Sequence, residues 1–363
     1  MLTLPLGVRI RIGVSAIICF VVGVAFLLGL PVLFSISLWV LLAVAALALL
    51  LGLLLNGTLR LLFGKKKNRS LLKSVGVFFC LLTIATALPI YYLAYKVQAD
   101  PPLLPQATLT NGQKTVVFQG MIHVGMESFY KSVVYDLEEA LSDGYRLYYE
   151  GVQPSPGEGD AWFAEQLAGG GDLAENYKVL ADACGVKFQI DYFGLMERDA
   201  QQHPERHVAA DVTSLEMKQE YDRLMATDPA FAEQVRDREA PASTYTSDPV
   251  AALLDWHASA TDEQKKLIGI LCRGAFAIAL GDQSEHEPRP LDKVILDFRN
   301  RQLAQRIIAD DSQRIYITYG AAHLPGVLAA LQAADPDWQI TTVKWMRGLA
   351  TPEHLEGVLP SMP

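Results

Sequence analysis

Acidic side chains are absent from the first 99 residues of this chain, which carry 9 Lys or Arg and no Asp or Glu. The rest of the 363 residues hold 22 basic against 40 acidic side chains, a formal charge of -18. A phosphate backbone is repelled by a surface of that sign, so nucleic acid is excluded as a partner. Cysteine is scarce as well. Of the four, Cys19 and Cys80 fall in apolar runs, and Cys184 and Cys272 in the polar remainder. The latter two could pair in an oxidising compartment, and nothing in their spacing shows that they meet. Also missing are HExxH, a Walker phosphate loop, Gly-x-Ser-x-Gly and any CxxC pair. Those gaps remove the commoner zinc-protease, nucleotide-binding, serine-hydrolase and zinc-finger functions.

What the acid-free head does contain is long apolar runs. Ile12–Ile36, Leu38–Leu55 and Val75–Tyr95 each approach the ~20 residues that cross hydrocarbon as a helix. The third run ends in Tyr91, Tyr92 and Tyr95, a composition suited to a lipid–water boundary. A cleaved signal peptide is the rival for the first run. The second run follows at once, with no small-residue cleavage site before it, which argues against cleavage. Arg9 and Arg11 precede the first run, and Arg60, Lys65, Lys66, Lys67, Arg69 and Lys73 fill the second link, while 31–37 carry no charge. Excess Lys and Arg stays cytoplasmic. The expectation is a multi-pass anchor of three transmembrane helices in the lipid bilayer, amino terminus cytoplasmic, with everything after Lys96 periplasmic or extracellular.

Three segments follow from this: an anchor over 1–99, a stiff Pro-rich linker over 100–106, because proline fixes φ, and a soluble domain over 107–363. In that domain Thr115–Gln119 reads as a strand. Ser128–Leu141 reads as a helix with Phe129, Val133, Val134, Leu137 and Leu141 at helical spacing, and Tyr145–Glu150 as the next strand. Strand, helix and strand in that order make a βαβ unit with parallel strands. The far end repeats the plan: strand Arg314–Tyr319, the sequence GAAHLPG, a helix over Pro325–Ala334, and a closing strand Trp338–Trp345. Between them lie a short strand over Lys187–Tyr192, a helical stretch over Leu215–Leu280, a loop over Gly281–Leu291 and an amphipathic helix over Leu291–Ala309. The expected class is α/β, a mainly parallel sheet flanked by helices, with a helical insertion covering one edge.

Open parallel sheets bind ligands outside the carboxyl ends of their strands. Three side chains fall there: His123 after the first strand, His323 after the penultimate one, and Glu150 closing YRLYYE. Two imidazoles and a carboxylate at neighbouring strand ends suit a divalent metal. Gly120 and Gly320, each three residues before a histidine, are expected to bend the backbone sharply there. Taken singly, each group also has an ordinary role: a loop histidine, a solvated strand-end glutamate.

Two Gly-x-x-His motifs far apart, GMIH at 120–123 and GAAH at 320–323, with Glu150 ending the second strand and Arg299-Asn300 on the preceding helix, resemble the TraB–PrgY–GumN–Tiki family. The likeness spans about 110–350 and none of the head. Where the family often has Gly-Thr-x-His, this chain has Met121. The resemblance implies metal-dependent peptide hydrolysis, with Mn²⁺ or Co²⁺ favoured and Zn²⁺ a further option. It implies His123, His323 and Glu150 as metal ligands, Glu150 alternatively as general base, and Arg299 and Asn300 as further catalytic residues. The partner would be a peptide or protein substrate at the membrane surface. A binding module of the same fold, holding a peptide or other ligand without cleaving it, is the alternative.

Other histidines carry less. His203 and His207 have i, i+4 spacing, but Pro204 interrupts them and their polar setting suggests a solvated turn. Asp211 opens a stretch in which Thr213 or Ser214 and Glu216 suit an N-cap, and capping is its expected role. His257 reads as structural; His286 and His354 lie in polar loops.

Overall fold

Residues 116–118 and 315–317 are apolar at every position, the pattern of strands covered on both faces. In the computed structural model they lie side by side at the centre of a six-stranded sheet. The structure describes residues 5–34, 38–63, 71–167, 172–239, 255–281 and 289–350. The strands are β1 (Leu103–Thr110), β2 (Thr115–Met121), β3 (Val124–Gly125), β4 (Arg146–Tyr149), β5 (Lys187–Phe188), β6 (His207–Ala209), β7 (Arg314–Gly320) and β8 (Gln339–Arg347). The large sheet runs β6-β4-β7-β2-β1-β8, and β3 pairs with β5 in a separate two-stranded sheet. β6, β4, β7 and β2 are mutually parallel, whereas β1 is antiparallel to both β2 and β8. The α/β class therefore stands, with a mixed, mostly parallel sheet.

Side chains alternate between two helical layers, as the period of two in a strand requires. Val116, Phe118, Ile315, Ile317 and Tyr319 enter one core with Leu303, Ile307, Val327 and Leu331. Those partners come from the helices Arg299–Ala309 and Leu324–Ala334. Val117, Leu147 and Tyr316 face the other way, against Val134, Leu137 and Leu141. The helix that supplies them, Glu127–Ser142, buries all five apolar positions of the helical spacing.

Three expectations change in detail. The stretch 100–106 is not wholly a linker, because β1 begins at Leu103 and pairs along its length with β8. Leu104 and Pro105 are both buried, and from Pro105 onward buried and less buried residues alternate, the strand signal that the prolines masked. Lys187–Tyr192 yields only the two residues of β5 before a short helix begins at Ile190. The amphipathic helix is a π-helical turn over Lys293–Phe298 continuing as α-helix from Arg299. Such wide turns inside helices are frequent at functional sites. The expected loop at Gly281–Leu291 lies largely outside the described residues, as do His286 and His354.

The chain forms two compact units. Among the described residues, those up to Asp100 group with Trp256–Phe276, and Pro101–Asp255 group with Ala277–Ala350. In the first unit are α1 (Leu6–Phe34), α2 (Trp39–Phe63) and α3 (Leu71–Ala99). Trp39–Leu59 and Leu71–Ala99 are long and apolar enough to cross a membrane, while the apolar stretch recognised within α1 is the shorter Phe20–Leu33. Leu42, Leu50, Leu53, Leu54, Leu81 and Leu88 point outward from α2 and α3, as lipid-facing positions do.

Candidate active site

The register of the parallel strands brings the expected residues to one place. Tyr149 pairs with Thr318, and Met121 with Gly320, so β4, β7 and β2 end side by side. Glu150 follows β4 directly, its backbone N–H donating to the Thr318 carbonyl at 2.9 Å. His323 ends the single 3-10 turn Ala321–His323 beyond β7. His123 stands between β2 and β3.

Neither motif glycine makes the sharp bend expected of it. Among the described residues positive φ occurs at Gly112, Gly144, Gly157 and Gly185, and Gly320 is extended at φ -49°, ψ 132°. Close approach is the reason for glycine instead. The Gly320 N–H donates to Glu150 Oε2 at 2.6 Å, and a Cβ there would come within 3.3 Å of that oxygen. At Gly120 a Cβ would lie 2.9 Å from the Pro105 carbonyl oxygen.

Arg299 organises the floor. Its Nε donates to Asp211 Oδ1 at 2.9 Å, and its Nη2 donates both to Asp211 Oδ2 at 2.5 Å and to Glu150 Oε1 at 2.7 Å. Nη1 makes only longer contacts, 3.4 Å to the Ile295 carbonyl and 3.4 Å to His323 Nε2, beyond the usual 2.7–3.2 Å. That nitrogen retains donor capacity. The guanidinium also lies 5.3 Å from the centroid of the Tyr319 ring. Asp211 accepts further from the backbone N–H of Gly151 at 3.1 Å and of Val212 at 2.8 Å. The N-cap belongs to Thr213 in a capping box with Glu216. Asp211 is thus the counter-ion of Arg299, a role its sequence neighbourhood concealed.

Asn300 and His323 form the next pair. Asn300 Oδ1 lies 2.7 Å from His323 Nδ1, so the ring proton sits on Nδ1 and Nε2 presents a lone pair. That lone pair is 3.7 Å from Glu150 Oε1. Gly326 makes room for the amide, since a Cβ at 326 would overlap the Asn300 side chain. His123 is fixed on the other side of the floor. Its ring stacks on Tyr177 at 4.3 Å, and its Nδ1 meets Gln189 Nε2 at 3.0 Å. With that amide nitrogen donating, the His123 proton sits on Nε2; turning the amide over would place it on Nδ1.

The protonation states follow from burial and charge. Burial pushes the His323 imidazole down to about 4, helped by the Arg299 cation. Burial lowers His123 too, outweighing the attraction of Glu150. For Glu150 burial acts upward, but Arg299, His323 and His123 outweigh it and hold the carboxyl below its ordinary range. Asp211 is likewise lowered, burial being overcome by Arg299. Near neutral pH the floor therefore holds one guanidinium, two carboxylates and two neutral imidazoles.

A cavity of about 900 Å³ opens over this floor, lined by His123, Glu150 and Arg299 and by apolar side chains including Phe163, Tyr177 and Phe193. Its size suits a small ligand or a short peptide segment. His207 also lines it, with its Nε2 2.5 Å from Asp199. Its side chain is 7% exposed, which corrects the solvated turn expected there. The other half of that motif, His203, is exposed as expected.

Comparison with known protein families, with curated proteins and with solved structures finds no match.

Among the described residues no three or more His, Cys, Asp or Glu side chains are grouped as a ligand set for one ion. The donors on the floor that a divalent cation could take are Glu150 and the Nε2 of His323, 3.7 Å apart, because both oxygens of Asp211 are held by Arg299. Both imidazoles are neutral, and the outer nitrogen of His323 is tied to an amide oxygen, as in metal-bound histidines.

Proposed function

We propose that this protein is a membrane-anchored, extracytoplasmic hydrolase of peptides of the TraB–PrgY–GumN–Tiki type, dependent on a divalent metal. The observation that carries the proposal is the meeting of Glu150, His323 and Arg299 at adjacent parallel strand ends, beneath a cavity that His123 also lines. His123 and His323 would hold the ion, with Mn²⁺ or Co²⁺ favoured and Zn²⁺ a further option, and of the two roles open to Glu150, ligand or general base, this reading takes the general base. When bound, such an ion supplies Lewis acidity and a water molecule of lowered pKa.

The side chains divide the remaining work. Glu150, ionised by its neighbours, accepts a proton at a carboxylate oxygen from the attacking water. Arg299 is a permanent cation, and its Nη1 stabilises the oxyanion that develops on the scissile carbonyl. Asp211 fixes the guanidinium plane, and Asn300 fixes the tautomer of His323. The apolar wall binds side chains flanking the scissile bond and limits water at the floor. Three spans with a cytoplasmic amino terminus would confine this activity to substrates at the outer membrane surface.

The test is direct. Full-length protein in detergent is stripped with a chelator, reloaded separately with Mn²⁺, Co²⁺ and Zn²⁺, and incubated with a peptide library read by mass spectrometry. Cleavage restored by at least one metal is expected. Peptides retained but uncut under all three conditions would instead identify a binding module.

A further inference from the structure

The cavity over the floor reaches well back from the strand ends. His207 of β6 pairs with Leu147 of β4, and Leu147 stands three residues before Glu150. At the rise of a parallel strand that offset is roughly 10 Å. Leu147 and His207 nevertheless line the same cavity as Glu150. Paired residues of neighbouring strands share a face of the sheet, and Leu147 faces the layer of Val134 and Leu137. The cavity therefore has an arm over that face, running back from the floor to His207.

The wall of this arm is apolar and its end is not. Ile190, Phe193, Met196 and Ala200 line the arm from the short helical segments Ile190–Phe193, Gly194–Met196 and Glu197–Gln202. At the end stands His207, its side chain 7% exposed and its Nε2 held by Asp199. Asp199 is fixed in turn by Arg206, whose Nε donates to it at 3.0 Å. With the Nε2–H given to that carboxylate, Nδ1 is the nitrogen left to meet a ligand. Among the described residues no hydrogen bond reaches Nδ1. The fully buried side-chain polar atoms without a partner there are Asn56 Oδ1 and Trp162 Nε1, so Nδ1 keeps open surface on a ring that lines the cavity.

These groups select the occupant. Both oxygens of Asp199 are taken, by Arg206 and by His207, so an ammonium group would find no free carboxylate at the end of the arm. Glu197 also lines the cavity, but it is exposed and accepts from Gln201 at 3.1 Å. A hydroxyl both donates and accepts, and so matches Nδ1. Serine and threonine carry theirs too close to the main chain to reach that far. Tyrosine carries a hydroxyl at the tip of a long apolar body.

We infer that the arm is a subsite for a tyrosine side chain flanking the scissile bond, with His207 as the specificity-determining residue and Asp199 as the residue that orients it. The inference rests on the peptide hydrolase proposed above.

Full-length protein in detergent, loaded with the metal that supports cleavage, is given peptide sets that differ only in Tyr, Phe or Lys beside the cut bond. The kcat/KM for Tyr is expected to exceed that for Phe by about tenfold, the worth of one hydrogen bond made in a closed site. In His207→Leu the two values should become equal. Asp199→Asn, which keeps the size of the side chain beside Arg206, should lower the ratio in the same direction. A ratio taken within one preparation is insensitive to the fraction of protein folded. Equal cleavage of Tyr and Phe by the unaltered chain, a preference for Lys, or a ratio that survives His207→Leu overturns the inference and leaves the hydrolase standing. Cleavage of no peptide with any metal removes the hydrolase itself, and the inference with it.

Discussion

Gly326 shows how tightly individual atoms are set around the site. A methyl group there meets the Asn300 amide that orients His323. Gly326→Ala is expected to lower the stability of the α/β unit by about 1–3 kcal/mol, the usual range for overpacking a filled core. Chemical denaturation of the purified protein measures this, and an unchanged midpoint would show that Asn300 moves aside freely. Acid sensitivity follows from the same residues. The folded pKa of His323 is about 4 against an ordinary 6.5, so the unfolded chain takes up the proton first. Stability from this group is full above about pH 6.5 and falls as pH drops toward 4, by about 3 kcal/mol at most. Glu150 and Asp211, both lowered, continue the loss through the carboxylate range. Denaturation of chelator-treated protein at stepped pH checks the sign, and His323→Asn should flatten the upper part of the curve. His123, Glu150, Arg299, Asn300 and His323 were all legible as motif residues. Asp211 was not, since its partner Arg299 lies 88 residues away and no local spacing announces an ion pair. Gln189 and Tyr177 escaped for the same reason: each meets His123 only through the fold.

Periodicity carried the elements well where one pattern prevailed. β2, β7 and the helix Glu127–Ser142 lie within two residues of where hydrophobic spacing puts them. It failed where signals competed. Four residues called linker, 103–106, belong to β1, because prolines read as breakers while the alternating burial becomes regular only from Pro105 onward. β1 is an interior strand, hydrogen-bonded to β2 and β8. Replacing Leu103–Gln106 by Gly and Ser is therefore expected to lower the Tm sharply and broaden the transition, whereas a true linker would tolerate it. A melt followed by circular dichroism distinguishes the two. The π-helical turn ahead of Arg299 has no sequence signature at all, since Lys293–Ala309 keeps ordinary helical spacing on either side of it.

For the whole molecule, charge asymmetry divided the chain into an apolar head and an acidic body, and the structure retains that division with one exchange. Trp256–Phe276 belongs with the head, although its place in the sequence suggested part of an insertion covering one edge of the sheet. Packing preference explains the difference: Leu267, Ile270 and Leu271 find an apolar bundle to join. The central claim concerns chemistry at the sheet edge, and Glu150→Gln probes it most directly. That change keeps the size of the side chain but leaves one acceptor oxygen where the carboxylate offers two, to Arg299 and to Gly320, and it removes the group that takes up a proton. Peptide turnover by the metal-loaded full-length protein is expected to fall roughly 10²–10⁴-fold in this variant, the usual worth of a positioned general base, with peptide binding retained. Turnover by Glu150→Gln equal to that of the unaltered chain would contradict the account.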